Sequence, residues 1–366
     1  MLSQASEMKP VYDAIDLFCG CGGASLGIKH AGHRVVAAVD IDPVACKTFS
    51  ENLGLEPLCY DLRYFDGYQI LDECGLGKGD VDLVVGCPPC QGFSSLRRTR
   101  YPNGEDDRKE LVSVFIDRIR EMQPKAVIFE NVPGIVRDKK INYLKLFLSK
   151  MEKMGYKVNW GLINAVNYGV PQFRKRVIAL CVKDVSEPPS LPKETHSSPN
   201  DAVGKNLKPW RTVRDAIGDL PPLAPGESDP SIPNHVARNH SPRVLEIIRK
   251  IPKNGGSRKS LPQNLWLQCH RKLKEKKGGG AESVYGRMSW DKPSPTITCR
   301  CTTPSSGRFI HPEQDRAITP REAARLQSFP DDFIFPEEFS RAERLIGNAV
   351  PPSLMVELVK CLEDFL

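Results

Sequence analysis

The first half of the chain alternates short apolar segments with amphipathic ones, and no other feature of the sequence constrains the fold as strongly. Apolar strands are predicted at 14–18, 34–40, 81–86, 125–129 and 176–182. Helical spacing of apolar residues lies between them, as at Leu111, Phe115, Ile119 and Met122. Strands that alternate with helices form parallel sheets with helices on both faces. The sequence therefore predicts an α/β fold with a doubly wound, mostly parallel sheet.

The alternation stops near Asp184. From there to Val284 the chain is rich in proline, serine, glycine and basic residues, which predicts a smaller, loop-rich domain. Regular structure returns at Thr319, where TPRE fits a helix capping box. We predict a sheet domain at 1–183, the loop-rich domain at 184–284, and a C-terminal segment at 285–366 whose final helix returns to the sheet domain.

Positive charge is concentrated in one stretch of the second half. Residues 238–277 contain twelve Lys and Arg against two acids, a balance of +10, which leaves −3 for the remainder of a chain whose net charge is +7. Such a segment is the electrostatic footprint of phosphate binding, and a solvated surface run is the alternative.

The chain has twelve cysteines, which are expected to be reduced thiols. Residues 1–10 lack the apolar core of a signal peptide, and no apolar run is long enough to span a bilayer. A disulfide framework is therefore not expected, and each cysteine is a candidate for catalysis or for packing.

A glycine-rich turn, DLFCGCGG at 16–23, follows the first predicted strand. Doubly wound sheets bind ligands beyond the carboxyl ends of their strands, and glycines allow the backbone to approach a ligand closely. Asp40 ends the second strand, 18 residues after Gly22. A carboxylate there can accept hydrogen bonds from both hydroxyls of a ribose. These residues predict a nucleoside-bearing cofactor, with a dinucleotide site or a plain tight turn as alternatives.

A second turn holds Cys90 behind two prolines, at the end of the strand 81–86. Prolines restrict the backbone, and the nearby Arg97 and Arg98 would favour the thiolate. Three interpretations stay open on spacing alone: a redox pair with Cys87, a nucleophile, or an inert buried thiol. A second Cys-x-x-Cys or a matching His pair is missing from the sequence, so no metal is expected.

Six blocks of sequence, in order along almost the whole chain, resemble the DNA cytosine-5 methyltransferases. They are 16–23 (DLFCGCGG), 86–94 (GCPPCQGFS), 130–134 (ENVPG), 172–176 (QFRKR), 325–330 (RLQSFP) and 347–352 (GNAVPP). The resemblance implies a Rossmann-like methyltransferase domain, with target recognition in the loop-rich domain at 184–284. Cys87 stands where the family often has glycine, which keeps a redox side reaction open.

The resemblance assigns the catalytic roles to four residues. Cys90 would attack C6 of a cytosine flipped out of duplex DNA, and Glu130 would supply a proton at N3. Arg176 would stabilise the O2 side of the ring, and Arg174 would support the loop or contact a phosphate. The residues expected at the cofactor are Asp16, Phe18, Gly20, Gly22, Gly23, Asp40, Ile41, Asp61 and Asn348.

The resemblance also implies the partners. The methyl donor is S-adenosyl-L-methionine, the product S-adenosyl-L-homocysteine, and the substrate double-stranded DNA. A cognate restriction endonuclease acting on the same site is a further expected partner. We expect a monomer in the cytoplasm, associated with the nucleoid and not with a membrane. A transfer-RNA cytosine-5 methyltransferase is the alternative function, and a redox enzyme or a non-catalytic DNA-binding protein would explain fewer of the six blocks.

Overall fold

The computed structural model describes residues 10–89, 110–137, 142–266 and 283–366. Its central sheet has six strands in the order β2-β1-β3-β4-β6-β5. The strands are β1 Asp13–Leu17, β2 Arg34–Val39, β3 Leu83–Gly86, β4 Ala126–Asn131, β5 Tyr156–Asn164 and β6 Lys175–Lys183. The first four strands pair in parallel, and β6 runs antiparallel to both β4 and β5. The predicted α/β class with a mostly parallel sheet is confirmed.

Helices cover both faces of this sheet. The first five are α1 Gly23–His30, α2 Pro43–Leu53, α3 Gly67–Cys74, α4 Leu111–Met122 and α5 Tyr143–Lys153. On one face, apolar residues of α3, α4 and α5 pack with strand residues such as Leu17 and Phe129. On the other face, α1 packs with strand residues such as Val85 and Ile128. Both faces of the parallel strands are therefore buried, as a doubly wound sheet requires.

The remaining helices follow in the second half of the chain. They are α6 Pro199–Lys205, α7 Val213–Ile217, α8 Pro242–Lys250, α9 Pro320–Leu326, α10 Phe339–Asn348 and α11 Pro352–Lys360. Helix α9 begins at the capping box that the sequence predicts, with Thr319 and Glu322 each bonded to the other's backbone. Helix α11 lies against α1 at Gly27, where an added Cβ would be 2.5 Å from Met355 Cβ and 2.6 Å from the Pro352 carbonyl oxygen. Only glycine allows these two helices to approach so closely.

The chain between β6 and α9 is mostly loop. Its regular elements include two short parallel strands, β7 His196–Ser197 and β8 Lys208–Pro209, and a small apolar cluster around Ile248 and Tyr285. The buried Arg287 guanidinium stabilises this region by donating to the carbonyls of Ile248, Ile251, His311 and Gln314. Loops leave carbonyls without ladder partners, and a buried arginine can satisfy several of them at once. In the described parts of the chain, no helix is long and apolar enough to cross a membrane.

Candidate active site

A cavity of about 390 Å³ lies beyond the carboxyl ends of β1 to β4. Its volume is within the range of about 300–1,000 Å³ typical of small-molecule sites. The strand order reverses at β1, and such a reversal is where doubly wound sheets bind their ligands. Seven of the nine residues predicted at the cofactor line it: Asp16, Phe18, Gly20, Asp40, Ile41, Asp61 and Asn348.

The other two predicted cofactor residues, Gly22 and Gly23, are turned into the protein. A Cβ on Gly22 would be 2.5 Å from Leu53 Cδ1, and one on Gly23 would be 2.4 Å from the Val350 carbonyl oxygen. At Gly20, by contrast, an added Cβ would meet nothing within 4 Å. A side chain therefore has no room at Gly22 or Gly23, and of the three glycines Gly20 is the one that lines the cavity. Phe18 and Gly20 adopt positive φ angles of 61° and 55°, which shape the tight turn.

Asp16 forms the floor of the cavity and is fully buried. The Ser25 hydroxyl donates to Asp16 Oδ2 over 2.6 Å. Asp16 Oδ1 has no hydrogen-bond partner among the described residues. Burial is the main reason why the pKa of Asp16 is raised to about 7; the Ser25 hydrogen bond lowers this pKa, and the nearby Asp40 carboxylate raises it. A buried acceptor that lacks a donor at a cavity wall fits a ligand that brings a positively charged or donating group.

The Asp40 carboxylate is fixed by the backbone of two turns. Its Oδ2 accepts from the Gly20 N–H over 2.8 Å, and its Oδ1 from the Asp42 N–H over 2.9 Å. Burial raises the pKa of this carboxyl as well. Each oxygen keeps a second lone pair, so the carboxylate can still accept from a ligand hydroxyl. This is the geometry that the sequence predicts for ribose binding.

Two large side chains are exposed although they line the cavity. Ile41 is 60% exposed and Tyr60 52% exposed. Tyr60 also stacks on Phe65, with ring centroids 4.6 Å apart. Apolar surface inside a concave site is typical of a wall that a flat ligand group covers. The sequence does not single out Tyr60, although its position beside Asp61 is a signal. Together with the unpaired Asp16 oxygen, these walls fit the adenosyl and amino groups of the predicted cofactor.

Asp61 and Asn348 lie at the rim of the cavity, and each has a protein partner. Arg63 donates to Asp61 Oδ2 over 2.6 Å, and this hydrogen bond lowers the pKa of Asp61. The Cys299 thiol donates to Asn348 Oδ1 over 3.0 Å. With its oxygen engaged, the Asn348 amide has its N–H₂ group available for the cavity.

Glu130 and Arg176 form a buried ion pair at the cavity. In the antiparallel register of β4 and β6, Glu130 lies opposite Ile178. Arg176 is two positions before Ile178 on β6, so its side chain is on the same face of the sheet as those of Ile178 and Glu130. The Arg176 Nε is 2.7 Å from Glu130 Oε1. The guanidinium also donates from Nη1 to the Lys175 carbonyl over 2.8 Å. Two of the four predicted catalytic residues therefore meet, and both line the cavity.

The neighbouring Asn131 ties the cysteine-bearing segment to the sheet. Its Nδ2 donates to the Pro88 carbonyl over 3.1 Å, and its Oδ1 accepts from the Val132 N–H. The predicted nucleophile Cys90 lies outside the described residues. Cys87 and Pro88 line the cavity, so the chain enters that segment at the cavity wall. The sequence contains Asn131 within one of the six blocks, but its individual role emerges only from this contact.

Arg174 is almost completely buried. Its guanidinium donates to the carbonyls of Ile297, Gly347 and Ala349 over 3.2, 3.1 and 2.9 Å. Arg174, which directly precedes β6, is therefore hydrogen-bonded to the C-terminal end of α10, where Asn348 lies. This arrangement favours the loop-supporting role over the phosphate contact, which were the two alternatives expected for Arg174.

A nucleoside-sized cavity at the reversal point of a doubly wound sheet, bordered by a carboxylate–guanidinium pair, defines a nucleoside-cofactor-dependent enzyme. The family model of C-5 cytosine-specific DNA methylases matches residues 12–364. The chain therefore belongs to the C-5 cytosine-specific DNA methylase family, whose members use S-adenosyl-L-methionine. It is a DNA cytosine-5 methyltransferase.

Individual relatives are similar to this protein over nearly its full length. The type II methyltransferase M1.HphI of Haemophilus parahaemolyticus is 36% identical over 341 residues, which cover 93% of this chain and 83% of that protein. The type II methylase M.HgiDII of Herpetosiphon aurantiacus is 34% identical over 357 residues, covering 96% and 95%. A crystal structure of a candidate DNA modification methyltransferase encoded within an E. coli prophage matches with a TM-score of 0.71 at 27% identity, covering 97% of this chain and 99% of that chain.

Proposed function

We propose that Cys90, Glu130 and Arg176 carry out methyl transfer to C5 of a cytosine flipped out of duplex DNA. The observation that carries this proposal is the Glu130–Arg176 pair at the cavity edge, next to the segment that Asn131 anchors through Pro88. The pair supports the proposal because it supplies a carboxyl group and a positive charge at the same cavity that Pro88, two residues before Cys90 in sequence, also lines. No second function is favoured by a contact of comparable specificity.

The chemistry explains why these residue types are needed. C5 of cytosine is a weak nucleophile, and addition of the Cys90 thiolate to C6 makes C5 enamine-like. The electron pair displaced from the ring moves toward N3, where Glu130 delivers a proton. Arg176 stabilises the negative charge at the O2 side of the ring. S-adenosyl-L-methionine supplies the methyl group as an electrophilic carbon on a sulfonium sulfur. Loss of the C5 proton to a base, release of the Cys90 thiolate and return of the N3 proton to Glu130 restore the neutral ring.

Different residues of the cavity suit different chemical groups of the methyl donor. Asp40 suits the ribose hydroxyls, because both of its oxygens are already oriented by backbone N–H groups. Ile41 and Tyr60 offer exposed apolar surface for the adenine ring. Asp16 offers an unsatisfied carboxylate oxygen to the amino group. The site uses no metal in this proposal, and among the described residues no group of three His, Cys, Asp or Glu side chains is placed to hold one.

Among the residues of the basic stretch that the structure describes, not every cation lies free on the surface of the loop-rich domain. Arg258 of the basic stretch is buried, and Lys253 pairs with Asp315 over 2.5 Å. Helix α8 presents Arg243, Arg249 and Lys250 as exposed cations. We assign this helix surface to phosphate contacts, which position the duplex while other groups read the bases. Rotating the target base out of the stack costs a few kcal/mol, which such contacts offset.

We further propose that the enzyme is a monomer that protects DNA from a restriction endonuclease with the same recognition sequence. Support for the endonuclease partner comes from the type II enzymes that it resembles, of which the matched residues cover 83% and 95%. S-adenosyl-L-homocysteine is the expected product. An endonuclease encoded beside this protein that cuts only DNA left unmethylated by it would establish the pairing.

Methyl transfer from labelled S-adenosyl-L-methionine to mixed-sequence duplex DNA tests the function, with positions mapped by bisulfite sequencing. We expect methylcytosine at one short motif and none with Cys90→Ser. Cys361→Ser is the matched control, because Cys361 lies far along the chain on the C-terminal segment and its thiol donates only to the Glu357 carbonyl. Transfer to transfer RNA but not to DNA would overturn the proposal.

Salt dependence of DNA binding tests the α8 surface separately. Replacing Arg249 and Lys250 by glutamine removes two phosphate contacts, so the slope of log K against log salt should fall by about 2. Lys47→Gln together with Lys360→Gln removes the same charge from exposed positions outside this surface. An equal change of slope in both double variants would show that only net charge matters.

A further inference from the structure

Two glutamines that the proposed chemistry does not use are buried in contact with each other behind the cofactor cavity. Gln172 lies on the segment that leads into β6, and Gln327 directly follows α9. Both side chains are inaccessible to solvent. The Gln172 Nε2 donates to the Gln327 Oε1 over 2.8 Å. Burial of two amides is costly unless every donor and acceptor has a partner, so the partners of this pair show what it does.

The backbone groups around the pair permit only one orientation of each amide. The Gln172 Oε1 accepts from the Ile297 N–H over 2.9 Å, and its Nε2 also donates to the Leu326 carbonyl over 3.1 Å. The Gln327 Nε2 donates to the Ile346 carbonyl over 2.6 Å. A backbone N–H only donates and a carbonyl only accepts, so flipping either amide would set like groups against each other. The hydrogen bonds therefore run in one direction, from Gln172 to Gln327 and on to the end of α10.

This chain of hydrogen bonds ends at the wall of the cavity. Gly347, Asn348 and Ala349 line the cavity. The Gln327 Nε2 donates to the carbonyls of Ile346 and Ala349 over 2.6 and 3.4 Å. These two carbonyls lie on either side of Asn348 in the chain. Gln327 therefore holds the backbone before and after a residue that we expect at the cofactor.

Gln172 is joined to Asn348 by a second route as well. The Cys299 thiol donates to the Asn348 Oδ1 over 3.0 Å. Gln172 holds the backbone two residues before Cys299, where its Oε1 accepts from the Ile297 N–H. The side chain and the backbone of Asn348 are thus supported by different segments, and Gln172 is hydrogen-bonded to both of them.

We infer that Gln327 is a positioning residue for cofactor binding, and that it acts only while Gln172 donates to it. With this donation the Gln327 oxygen is satisfied, and its Nε2 is directed at the two carbonyls beside Asn348. Without it, a buried oxygen lacks a donor and the amide has no fixed orientation. Neither glutamine lines the cavity, so neither contacts the reacting atoms. The inference rests on the proposed cofactor site, and it implies weaker cofactor binding with an unchanged chemical step when the pair is broken.

Calorimetry of the full-length protein with S-adenosyl-L-homocysteine tests the coupling of the two glutamines. Gln172→Met and Gln327→Met each remove one amide and preserve much of the side-chain volume. Each substitution should lower the affinity roughly tenfold, which is the usual effect of losing one hydrogen bond. Because both residues act through the same contact, the double variant should also lose roughly tenfold. Two independent residues would instead lose about a hundredfold together.

Steady-state kinetics separates a positioning role from a loss of folded protein. A smaller fraction of folded enzyme lowers kcat and leaves KM unchanged, whereas a displaced Asn348 raises KM for S-adenosyl-L-methionine with kcat within about twofold. Gln314→Met is the matched control. The Gln314 Oε1 accepts from the Leu223 N–H and from Arg316 Nε, but Gln314 does not line the cavity. This control should be less stable in urea and should bind S-adenosyl-L-homocysteine as tightly as the parent protein.

Gln327→Asn serves if a methionine variant does not fold, because it keeps a buried amide that is one methylene too short to reach both Gln172 and the carbonyls. It should show the same loss of affinity. Additive effects in the double variant, or single variants that bind as tightly as the parent, would overturn the inference. So would Asn348→Ala with unchanged affinity. Parent protein that does not bind S-adenosyl-L-homocysteine would overturn the proposed cofactor site instead.

Discussion

Arg176 on β6 reaches across to Glu130 on β4, and its Nε lies 2.7 Å from Glu130 Oε1. The two side chains are diagonal neighbours on one face of an antiparallel strand pair, so the sheet itself sets their separation. Arg176 holds one carboxylate oxygen, and Glu130 Oε2 is the oxygen that can turn to a substrate base. The ion pair therefore fixes the orientation of the carboxyl group that we propose as the proton donor.

Glu130→Gln should lower the rate of methyl transfer by roughly 10²–10⁴-fold. Glutamine keeps the size of the side chain and an oxygen for Arg176, but it cannot donate a carboxylic acid proton to N3. The affinity for S-adenosyl-L-homocysteine should stay within about twofold, because Glu130 lies at the base side of the cavity. Single-turnover transfer of a labelled methyl group to DNA measures the first effect, and calorimetry the second.

Glu121→Gln is the matched control for this substitution. Glu121 pairs with Arg118 over 3.0 Å and is similarly buried, but it does not line the cavity. Loss of that pair should lower stability and leave the rate of methyl transfer unchanged. If both variants lost activity to the same extent, the proton-donor role of Glu130 would have to be abandoned.

Asp16→Asn should stabilise the cofactor-free protein while weakening cofactor binding. In the unfolded chain the carboxyl ionises above its ordinary pKa of 3.8, whereas burial keeps the pKa in the folded protein near 7. Between about pH 4 and pH 7 the carboxyl is ionised in the unfolded chain but still protonated in the folded protein. The free energy of unfolding therefore falls as pH rises through this interval. Asparagine removes this cost, which is of the order of a few kcal/mol. The melting temperature of the variant should exceed that of the parent at pH 8.

Melting curves from pH 4 to pH 8, with and without S-adenosyl-L-homocysteine, measure both effects of the Asp16 substitution. The two proteins should converge at pH 4, where the carboxyl is protonated in the folded state. The ligand should raise the melting temperature of the parent more than that of the variant, because the variant lacks the carboxylate. A variant that is less stable than the parent at pH 8 would contradict this prediction. It would show that groups of the protein itself already stabilise the ionised Asp16 carboxylate when no cofactor is bound.

The sequence predicts the parts of the fold that depend on local patterns. The glycine-rich turn, the strand-ending Asp40 and the capping box at Thr319 are each set by residues within a few positions of one another, and all are present. Strand β5 is not among the predicted strands. Val158, Trp160 and Leu162 do alternate with polar residues and a glycine, which is the period-two pattern of a strand, so this signal was present and was missed.

The parts of the site that sequence reasoning could not resolve depend on distant contacts. The partners of Arg174 include the carbonyls of Ile297 and Gly347, which are 123 and 173 residues away. Gly22 and Gly23 belong to a cofactor-loop pattern, and the close neighbours that exclude a side chain at each of them come from α2 and from the segment before α11. A motif gives the location of such residues, and only the folded backbone decides which of them face a ligand.

Arg174→Met should destabilise the protein by about 3 kcal/mol, because three buried carbonyls lose a charged donor. Methionine preserves much of the side-chain volume, so a cavity contributes little. The backbone around Asn348 would lose the hydrogen bonds that fix it at the cavity. Since we expect Asn348 at the cofactor, KM for S-adenosyl-L-methionine should rise by a larger factor than kcat falls. Urea unfolding and steady-state kinetics measure the two effects. Arg341→Met, which breaks an exposed pair with Glu338, should cost under about 1 kcal/mol. A large fall in kcat with unchanged KM would instead support a catalytic role for Arg174.

Acid should unfold the protein in two stages because of a buried network around α9. Burial lowers the pKa of His240 and His311 to about 4, so both are neutral in the folded protein near neutral pH. In the unfolded chain these histidines take up protons near their ordinary pKa of 6.5, so stability falls as pH drops from about 6.5 toward 4. Arg316 holds the pKa of Glu322 at about 2 despite its burial. That carboxylate contributes stability above about pH 4.5, and its contribution is lost as pH falls toward 2.

Substitution of His311 by glutamine separates the two stages. The His311 Nδ1 accepts from the N–H groups of Glu313 and Gln314, and a glutamine oxygen can take over part of this role. Urea midpoints at pH 8, 6.5, 5, 4 and 3 should fall less steeply between pH 6.5 and 4 in the variant. The loss between pH 4 and pH 3 should persist, because Glu322 and Arg316 are intact. His30→Gln, at an exposed position, should follow the parent curve. An unchanged slope in His311→Gln would mean that the His311 imidazole contributes nothing to the proton balance of unfolding.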